Sequence, residues 1–273
     1  MHIDFCQRWR DRRGTYRPRG ETLRPHEFEV AEIKQDKQAR AFVVQHHYAG
    51  SYPAARRRYG LYRRDELVGV AVLSQPASQA ALEAALPMPG AQRAELGRFV
   101  LLDSVAANGE SWFLARVWAL ARRDGFEALV AHADPESRRS SRGVQVFGGH
   151  LGTIYQATGG RYCGRTPRRT WHLLPDGSVL SARALSKLRT QERGYRYVVE
   201  QLEQHGAPAP SGAWRTWVRS AVQSTTRTLR HPGTHRYVWA LDQRLERHLP
   251  AALAYPKFHA AQLGLSFGEE LAR

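Results

Sequence analysis

The stretch ELGRFVLLDSVAANGESWFLARVWALARRDGFEALVAHADP, residues 95–135, decides the fold of this chain. It begins with an apolar, β-branched segment over residues 96–105, which is typical of a strand buried on both faces. A polar turn follows, and then apolar residues recur from Phe113 at the spacing of a helix that buries one face. A second apolar strand covers residues 126–133. This order predicts a right-handed crossover between two parallel strands.

Groups able to take part in chemistry gather at the ends of these predicted elements. Asn108 is a favoured residue at a helix start, and the first N–H groups of a helix can bind an anion. Asp134 follows the second strand directly, and a helix predicted over residues 143–160 brings His150 and Tyr155 towards it. Sites form at this carboxyl edge of the strands in open α/β sheets. A crossover unit with a purely structural role is the alternative.

The charge of the chain predicts a polyanionic partner. Its 273 residues can bury one large core with an appendage, or two small ones, and carry a formal net charge of +16. Residues 81–136 hold 5 Lys/Arg and 8 Asp/Glu, a net −3, whereas residues 161–236 hold 14 and 4, a net +10. A near-neutral core with a basic flank suits an enzyme that works on nucleic acid. Solvated arginines on an ordinary basic protein are the alternative.

The remaining composition indicates a cytoplasmic protein. Cys6 and Cys163 suggest neither a disulfide framework nor a zinc cluster, which favours a reducing compartment. Residues 2–13 are polar and basic, unlike a signal peptide. No apolar run approaches the length of a membrane span, so we expect no membrane partner.

Pattern and composition divide the chain into four parts. We expect an arginine-rich extension over residues 1–26, which is either a mobile arm or a strand-bearing segment. An α/β core over 27–180 is followed by a basic helical region over 181–245 that returns a strand to the core, and by a tail over 246–273. The elements expected in these parts are a strand over 27–33, a helix over 34–45, a hairpin over 59–73, helices over 181–205 with a break at Gly194 and over 213–229, and a strand over 235–241.

Two adjacent histidines at the end of the first predicted helix draw attention to the loop after it. His46, His47 and Tyr48 precede a loop of small residues, and two imidazoles beside a phenol suggest a metal or base chemistry. Adjacent side chains rarely point to one centre, so at most one of these histidines is expected to be a ligand. Ordinary packed or surface histidines are the alternative.

The basic region supplies the expected contacts to nucleic acid. Basic side chains along two predicted helices suit phosphate binding. The tryptophans of the second helix, Trp214 and Trp217, are expected to pack in a core rather than to stack on bases. For a flipped base, the candidate stacking residues are Tyr48, Tyr52, Tyr59 and Trp112, with ordinary core packing as the alternative for each. The residues expected to contact DNA are Arg183, Lys187, Arg189, Arg193, Arg196, Arg215 and Arg219.

Seven segments in order give a resemblance to a known family. They are HHYAGSYP, GVAVLSQPAS, LGRFVLLDSVAANGESWFLARV, AHADP, GHLGTIYQATGGRYCGRTPRRTWHLLPDG, ALSKLRTQERGYRYVVEQL and RHPGTHRYVWAL. Over residues 30–245 the chain resembles the Mom family, an offshoot of the Gcn5-related N-acetyltransferase fold. The resemblance implies a mixed central α/β sheet of that type. It also implies an enzyme that converts adenine in double-stranded DNA to N6-carbamoylmethyladenine, which protects phage DNA from restriction.

The resemblance also implies roles for residues near the crossover. A turn at Asn108 and Gly109 takes the place where acetyltransferases of this fold cradle the pyrophosphate of coenzyme A. This turn departs from their pattern because it has one glycine and no basic residue at its tip. Arg98 and Ser111 match positions assigned to the active pocket of the family.

Iron dependence of the family adds an expected metal site. His47 is favoured over His46 as one ligand because it adjoins Tyr48, and the set is completed by Asp134, His150 and Tyr155. Imidazole and carboxylate ligands with an open position suit ferrous iron. Tyr155 and Ser111 are further candidates for proton transfer or for orienting the amine, with Asp134 as an acid–base alternative.

The implied product restricts the chemistry. A carbamoylmethyl group joins nitrogen through its methylene carbon, so plain acyl transfer from a thioester gives the wrong linkage. The reaction therefore needs a metal or radical step, or a donor other than acetyl-coenzyme A. The alternatives are an ordinary coenzyme A-dependent N-acetyltransferase and a non-enzymatic DNA-binding protein.

Overall fold

The computed structural model describes residues 5–10, 13–18, 20–76 and 78–257. The strands are β1 (Phe5–Arg10), β2 (Arg13–Pro18), β3 (Phe28–Glu32), β4 (Ala55–Arg63), β5 (Glu66–Ser74), β6 (Arg93–Leu101), β7 (Ala128–Ala133), β8 (Arg138–Arg139), β9 (Gln145–Phe147), β10 (Arg161–Arg165), β11 (Arg169–Leu173), β12 (Val179–Leu180), β13 (Arg227–His231) and β14 (His235–Ala240). The α-helices are α1 (Asp36–His46), α2 (Gln79–Ala85), α3 (Gly109–Arg123), α4 (Thr153–Ala157), α5 (Ala182–Thr190), α6 (Arg196–Gln204) and α7 (Trp214–Thr225).

A seven-stranded mixed sheet forms the centre of the fold, in the order β10-β14-β7-β6-β5-β4-β3. β6 and β7 are parallel and are joined by α3, as predicted, while the other neighbouring strands are antiparallel. The parallel pairing covers only Arg93–Glu95 against Ala128–Val130. Beyond it β6 continues along β5 and β7 continues along β14. The predicted mixed α/β fold is confirmed. Its two central strands, β6 and β7, separate next to the predicted site residues Arg98 and Asp134.

The sheet is buried on both faces because its strands are apolar at successive positions. On β5, Ala71 and Leu73 belong to the core under α3, whereas Val70 and Val72 belong to the core under α1. Phe113 of α3 is completely buried in the first of these cores. Such a residue typically contributes about 3–5 kcal/mol when compared with alanine.

The basic region has its own apolar core, formed by α5, α6 and α7. Leu188, Val198 and Leu202 are completely buried in it. The Oγ of Ser181 accepts a hydrogen bond from Ala184 N at 3.1 Å, which caps α5. The expected break is present, with Gly194 at φ 83° between α5 and α6.

Two predicted helices differ from the structure. The segment 143–160 contains β9 and the five-residue α4 instead of one long helix. Gly149 and Gly152 adopt φ values of 76° and 77°, which an α-helix does not contain. The second basic helix ends at Thr225, and the next residues form β13, which pairs with β11. Tertiary pairing overrides the helical pattern there.

The N-terminal segment is strand-bearing, since β1 and β2 form an antiparallel pair. At the other end, Leu253 N donates to Tyr162 O at 2.9 Å, which attaches the start of the tail to β10. Residues 258–273 and Cys6's side chain lie outside what the structure describes. Within the described ranges, no helix combines the length and apolar character that a membrane crossing needs.

Candidate active site

A buried cluster of polar and aromatic side chains, called the pocket below, lies where β6 and β7 separate. Successive ring contacts connect its members: the ring centroids of His47 and Tyr48 are 4.2 Å apart, those of Tyr48 and Phe147 4.4 Å, those of Phe147 and His150 6.0 Å, and those of His150 and Tyr155 6.3 Å. Asp134, at the end of β7, is near enough to Tyr48 to raise the pKa of its phenol, in addition to the larger effect of burial. The structure therefore brings together most of the residues that the sequence predicted for the site.

His47 enters this pocket because α1 ends one residue before it. Its backbone is extended, with φ −82° and ψ 135°, and its N donates to Val43 O at 2.9 Å. Its Nδ1 accepts from Ala49 N at 3.1 Å, which leaves the proton of the neutral ring on Nε2. Burial lowers the pKa of His47 well below its ordinary value, and the charges of Arg98 and His150 add to this effect. His46 lies instead on the last turn of α1, with its ring 4.8 Å from that of Phe42.

Tyr48 and Phe147 form an aromatic pair at the pocket. Their ring centroids are 4.4 Å apart with an interplanar angle of 24°, a stacked arrangement. His47 lies on the other flank of Tyr48, with ring centroids 4.2 Å apart. Burial raises the pKa of Tyr48, and the negative charge of Asp134 raises it further, so the phenol stays neutral.

The other predicted stacking residues have different roles. The hydroxyl of Tyr59 donates to Asp124 at 2.7 Å within the main core. The hydroxyl of Tyr52 donates to Asp36 at 2.9 Å. Trp112 packs near Phe28, with ring centroids 6.4 Å apart. Of the four candidates, Tyr48 is the one that lies at the pocket.

Arg98 braces the loop that carries His47 and Tyr48. Its Nε donates to Ser51 O at 2.9 Å and its Nη2 donates to Ser51 Oγ at 2.8 Å. Its Nη1 donates to Gly97 O at 2.5 Å. The guanidinium that the family resemblance places in the active pocket therefore also holds this loop in place.

Replacing Arg98 with Lys is expected to loosen this loop. Lysine cannot reproduce the planar pair of hydrogen bonds to Ser51. Hydrogen–deuterium exchange of the amides in residues 47–53 should become at least about tenfold faster, equivalent to about 1.4 kcal/mol of lost protection. Arg57→Lys, at an exposed site on β4, is the matched control and should leave these amides unchanged. Equal exchange in the two variants would contradict the bracing role.

Asp134 is the centre of a buried hydrogen-bond network at the end of β7. Its Oδ1 accepts from His231 Nε2 at 2.9 Å and from Glu136 N at 3.0 Å, and its Oδ2 accepts from Arg138. Burial acts to raise the pKa of Asp134, yet the His231 bond and the charge of Arg138 outweigh it and the pKa is lowered. Asp134 stays ionised and joins the central sheet to β13.

Aromatic rings enclose this network. Trp171 stacks on His231 with ring centroids 3.8 Å apart, and the guanidinium of Arg138 lies 4.2 Å from the ring centre of Phe147. Gly233 N donates to His231 Nδ1 at 3.1 Å, which leaves Nε2 to carry the proton given to Asp134. These contacts fix the position of the Asp134 carboxylate at the edge of the pocket.

His150 and Tyr155 complete the pocket. The backbone N of His150 donates to Asp134 O at 2.7 Å, and its ring centroid lies 6.3 Å from that of Tyr155. Burial lowers the pKa of His150 to about 4, although Asp134 opposes the shift. Burial also raises the pKa of Tyr155, with Tyr48 adding to the effect. At neutral pH the imidazole and the phenol are therefore both uncharged.

The stability of the protein is expected to fall as the pH is lowered from 6.5 towards 4. His150 is neutral in the folded state over this range but takes up a proton when the chain unfolds, so acid favours unfolding. Urea denaturation at pH 7 and pH 5 measures the free energy of unfolding. Its decrease between these two pH values should be smaller in His150→Asn than in the wild type, by up to about 1.4 kcal/mol per pH unit. His26→Asn, at an exposed site, should keep the wild-type slope. An unchanged slope in His150→Asn would refute the assignment.

The expected iron ligands do not fit an iron ion as a set. Both carboxylate oxygens of Asp134 accept hydrogen bonds from Arg138 or His231. Across the described parts of the chain, no group of three or more His, Cys, Asp or Glu side chains is placed to hold a metal ion. His47 and His150 remain in the pocket as neutral imidazoles.

The turn before α3 also differs from an anion cradle. The carboxylate of Glu21 accepts from Ala107 N at 3.0 Å, directly ahead of the helix. Ser111 Oγ donates to Asn108 O at 3.2 Å, and the Asn108 side chain makes no cap bond to the helix. Gly109 N is bonded to the backbone within the turn. These predicted cofactor-binding residues are occupied with internal contacts and do not fit a pyrophosphate group.

Three residues of the site were missed from sequence alone. Arg138 follows Asp134 at a spacing of four, which is a weak signal of an ion pair. Phe147 falls in the segment that was predicted as a helix, and His231 lies 97 positions from its partner. His231 reaches Asp134 because β14, which follows β13 in the chain, pairs with β7.

The predicted DNA-contact residues lie on the surface of the helical region. Arg183 forms an ion pair with Glu192, its Nη1 lying 2.7 Å from Oε2. Lys187 is half-buried. Trp217 is buried in the helical core, as expected. The exposed members of the predicted set are Arg183, Arg189, Arg193, Arg196, Arg215 and Arg219.

The chain is similar to one protein family and to several solved structures. The model of the Mom protein family matches residues 27–257. No curated protein matches the chain. A tandem GNAT protein from the clavulanic acid biosynthesis pathway is similar in structure at 11% identity and a TM-score of 0.43, over 79% of this chain and 99% of that one. A Bacillus subtilis acetyltransferase in complex with CoA is similar at 14% identity and a TM-score of 0.32, over 80% of this chain and 99% of that one.

Proposed function

This chain belongs to the Mom protein family, and on that premise we propose that it modifies adenine in double-stranded DNA. The product is N6-carbamoylmethyladenine, and its role is to protect phage DNA from restriction in the cytoplasm of the host. Family membership supports a transferase. The observation that carries the finer proposal is the uncharged pocket of His47, His150 and Tyr155 beside the Tyr48–Phe147 pair.

The pocket suits a neutral amine as the acceptor. Joining the methylene carbon to adenine N6 breaks one N–H bond and the bond between that carbon and the leaving group of the donor. Burial keeps the His150 ring unprotonated at neutral pH, and because its pKa is lowered to about 4 the ring is a weak base that orients the amine by accepting a hydrogen bond from N6–H. The Nε2–H of His47 can donate to a ring nitrogen of adenine and orient the base. Tyr155 contributes a neutral hydroxyl as a further donor.

A base that reacts here must leave the DNA stack. Adenine inside a duplex hides its amine, and enzymes that modify bases flip them into a pocket with stacking side chains. Tyr48 is half-buried at the pocket and is supported from behind by Phe147. Both faces of the Tyr48 ring are covered in this structure, by Phe147 and by His47, so a flipped base would replace His47 on one face, a stacking contact worth about 1–3 kcal/mol.

The helical region supplies a surface for the phosphates. The span 161–236 has a net charge of +10, from 14 basic and 4 acidic residues. Three arginines on the α5–α6 side, Arg189, Arg193 and Arg196, are exposed to solvent. Contacts of this kind hold DNA without reading its sequence.

Replacing Arg189, Arg193 and Arg196 together with Gln is expected to weaken DNA binding at every sequence. Loss of three phosphate contacts should lower the slope of log affinity against log salt by about 3. Fluorescence anisotropy with two unrelated duplexes at several salt concentrations measures both effects. The matched control replaces Arg64, Arg122 and Arg123, three exposed arginines elsewhere in the fold, with Gln. If the two triple variants bind alike, these helices are only a solvated surface.

Restriction digestion tests the proposed function. Plasmid DNA from cells that express the protein, purified free of protein, should resist enzymes whose sites contain adenine and remain sensitive to those whose sites lack it. An acetyltransferase acting on a protein or small molecule leaves both sets of sites sensitive. So does a DNA-binding protein that changes no base, once it has been removed. Full sensitivity at adenine-containing sites would therefore overturn the proposal.

A further inference from the structure

The segment over residues 20–24 crosses the start of α3 and is attached there. Leu23 is 4% exposed and packs in the main core. Its backbone N donates to Asn108 Oδ1 at 2.9 Å. Glu21, two residues earlier, accepts from Ala107 N at 3.0 Å. An apolar anchor and two hydrogen bonds therefore hold this segment against the turn.

The carboxylate of Glu21 occupies a position that favours anions. α3 is fifteen residues long, and the N-terminal end of such a helix carries partial positive charge and unpaired N–H groups. A phosphate bound at the start of α3 would lie in the same field as this carboxylate, which accepts from Ala107 N two residues ahead of the helix. The structure places a carboxylate of the chain itself at this end.

Gly109, the first residue of α3, is closely packed and has its backbone N–H paired. A Cβ added at Gly109 would lie 2.4 Å from Val105 Cγ1, so the side chain of Val105 fills the space in front of this glycine. The N of Gly109 donates to Ala106 O at 2.9 Å. An incoming diphosphate would meet the negative charge of Glu21 beside the turn.

We propose that Glu21 is a specificity-determining residue that closes this turn to diphosphate-containing donors, coenzyme A thioesters among them. The inference rests on the proposed function in treating the excluded molecule as a donor for that transferase. The donor is then a molecule that is not held through a diphosphate at the start of α3. This agrees with the product, whose methylene–nitrogen bond plain acyl transfer does not form.

Calorimetric titration of the full-length protein with inorganic pyrophosphate, and separately with coenzyme A, tests this inference. The wild type should bind neither ligand measurably at millimolar concentration. Glu21→Ala should bind pyrophosphate at least about tenfold more tightly than the wild type. Glu21→Gln keeps the shape and removes the charge, and it should show a smaller gain. Glu29→Ala removes one negative charge from an exposed site on β3 and should behave like the wild type.

Two results would overturn the inference. One is tight binding of coenzyme A by the wild type with competition by pyrophosphate. The other is no gain in Glu21→Ala or Glu21→Gln beyond that of Glu29→Ala; if Glu21→Ala does not fold by circular dichroism, Glu21→Gln decides. Because these titrations contain no DNA, their outcome is separate from whether adenine becomes modified.

Discussion

Asp134→Ala is expected to lower the free energy of unfolding by about 3–5 kcal/mol. The substitution leaves Arg138 buried without its carboxylate and removes the acceptor of His231. The sequence alone assigned Asp134 to a metal and to acid–base chemistry. In the folded protein its oxygens hold the central sheet and β13 together, so the main consequence should appear in stability. Urea denaturation at neutral pH measures it.

Three comparisons sharpen this experiment. Glu136→Ala, two residues away, should change stability by less than about 0.5 kcal/mol. Combining Asp134→Ala with Arg138→Leu should cost less than Asp134→Ala alone, because no uncompensated charge then remains buried. The lowered pKa of Asp134 means that its contribution is complete above the ordinary value of 3.8 and is lost as the pH falls through the folded value. A loss below about 1 kcal/mol in Asp134→Ala would contradict the structural role.

His47→Asn is expected to reduce modified adenine by at least about a hundredfold, since a small misplacement of a bound substrate costs that much. Asparagine cannot place a donor where Nε2 of His47 lies. Quantifying the modified nucleoside after a fixed expression time gives the ratio. The same substitution at His46 is the matched control, because that ring lies beside Phe42 on α1. Equal losses in both variants would show that the pocket does not act through His47.

The pH dependence of the reaction provides a second test of the same residue. The pKa of His47 is held well below 6.5, mainly by burial, so its protonation should not reduce activity between pH 8 and pH 6. A loss of activity centred near pH 6.5 would indicate a solvated imidazole. Measuring initial rates with purified components across this range separates the two cases.

The central crossover could be predicted from sequence because its signals are local and agree with each other. The strand over β6, the turn at Asn108 and the periodic face around Phe113 all specify the same arrangement. The irregular structure of residues 143–160 could not be predicted, because glycines occur both at the ends of helices and in irregular turns. Gly149 shows why: a Cβ there would lie 2.4 Å from Pro135 O, a contact between distant elements that no local pattern encodes.

The proximity of several candidate site residues could be predicted from sequence, whereas their hydrogen-bond partners could not. His47, His150 and Tyr155 converge as the sequence suggested, since strand ends and loops at one sheet edge meet. The use of Arg98 as a brace depends on Ser51, 47 positions away, and that of Asp134 on a histidine 97 positions away. Such pairings arise from tertiary packing, which spacing along the chain does not reveal.

Mass spectrometry of nucleosides from the DNA of expressing cells tests the central claim most directly. The proposed function predicts a deoxyadenosine derivative heavier by one carbamoylmethyl group in place of one hydrogen, with fragmentation that keeps the added group on the base. It should be abundant with the wild type, nearly absent with His47→Asn and close to wild-type levels with His46→Asn. Unmodified deoxyadenosine in cells that contain folded wild-type protein, or an acetyl group in place of the carbamoylmethyl group, would contradict the account.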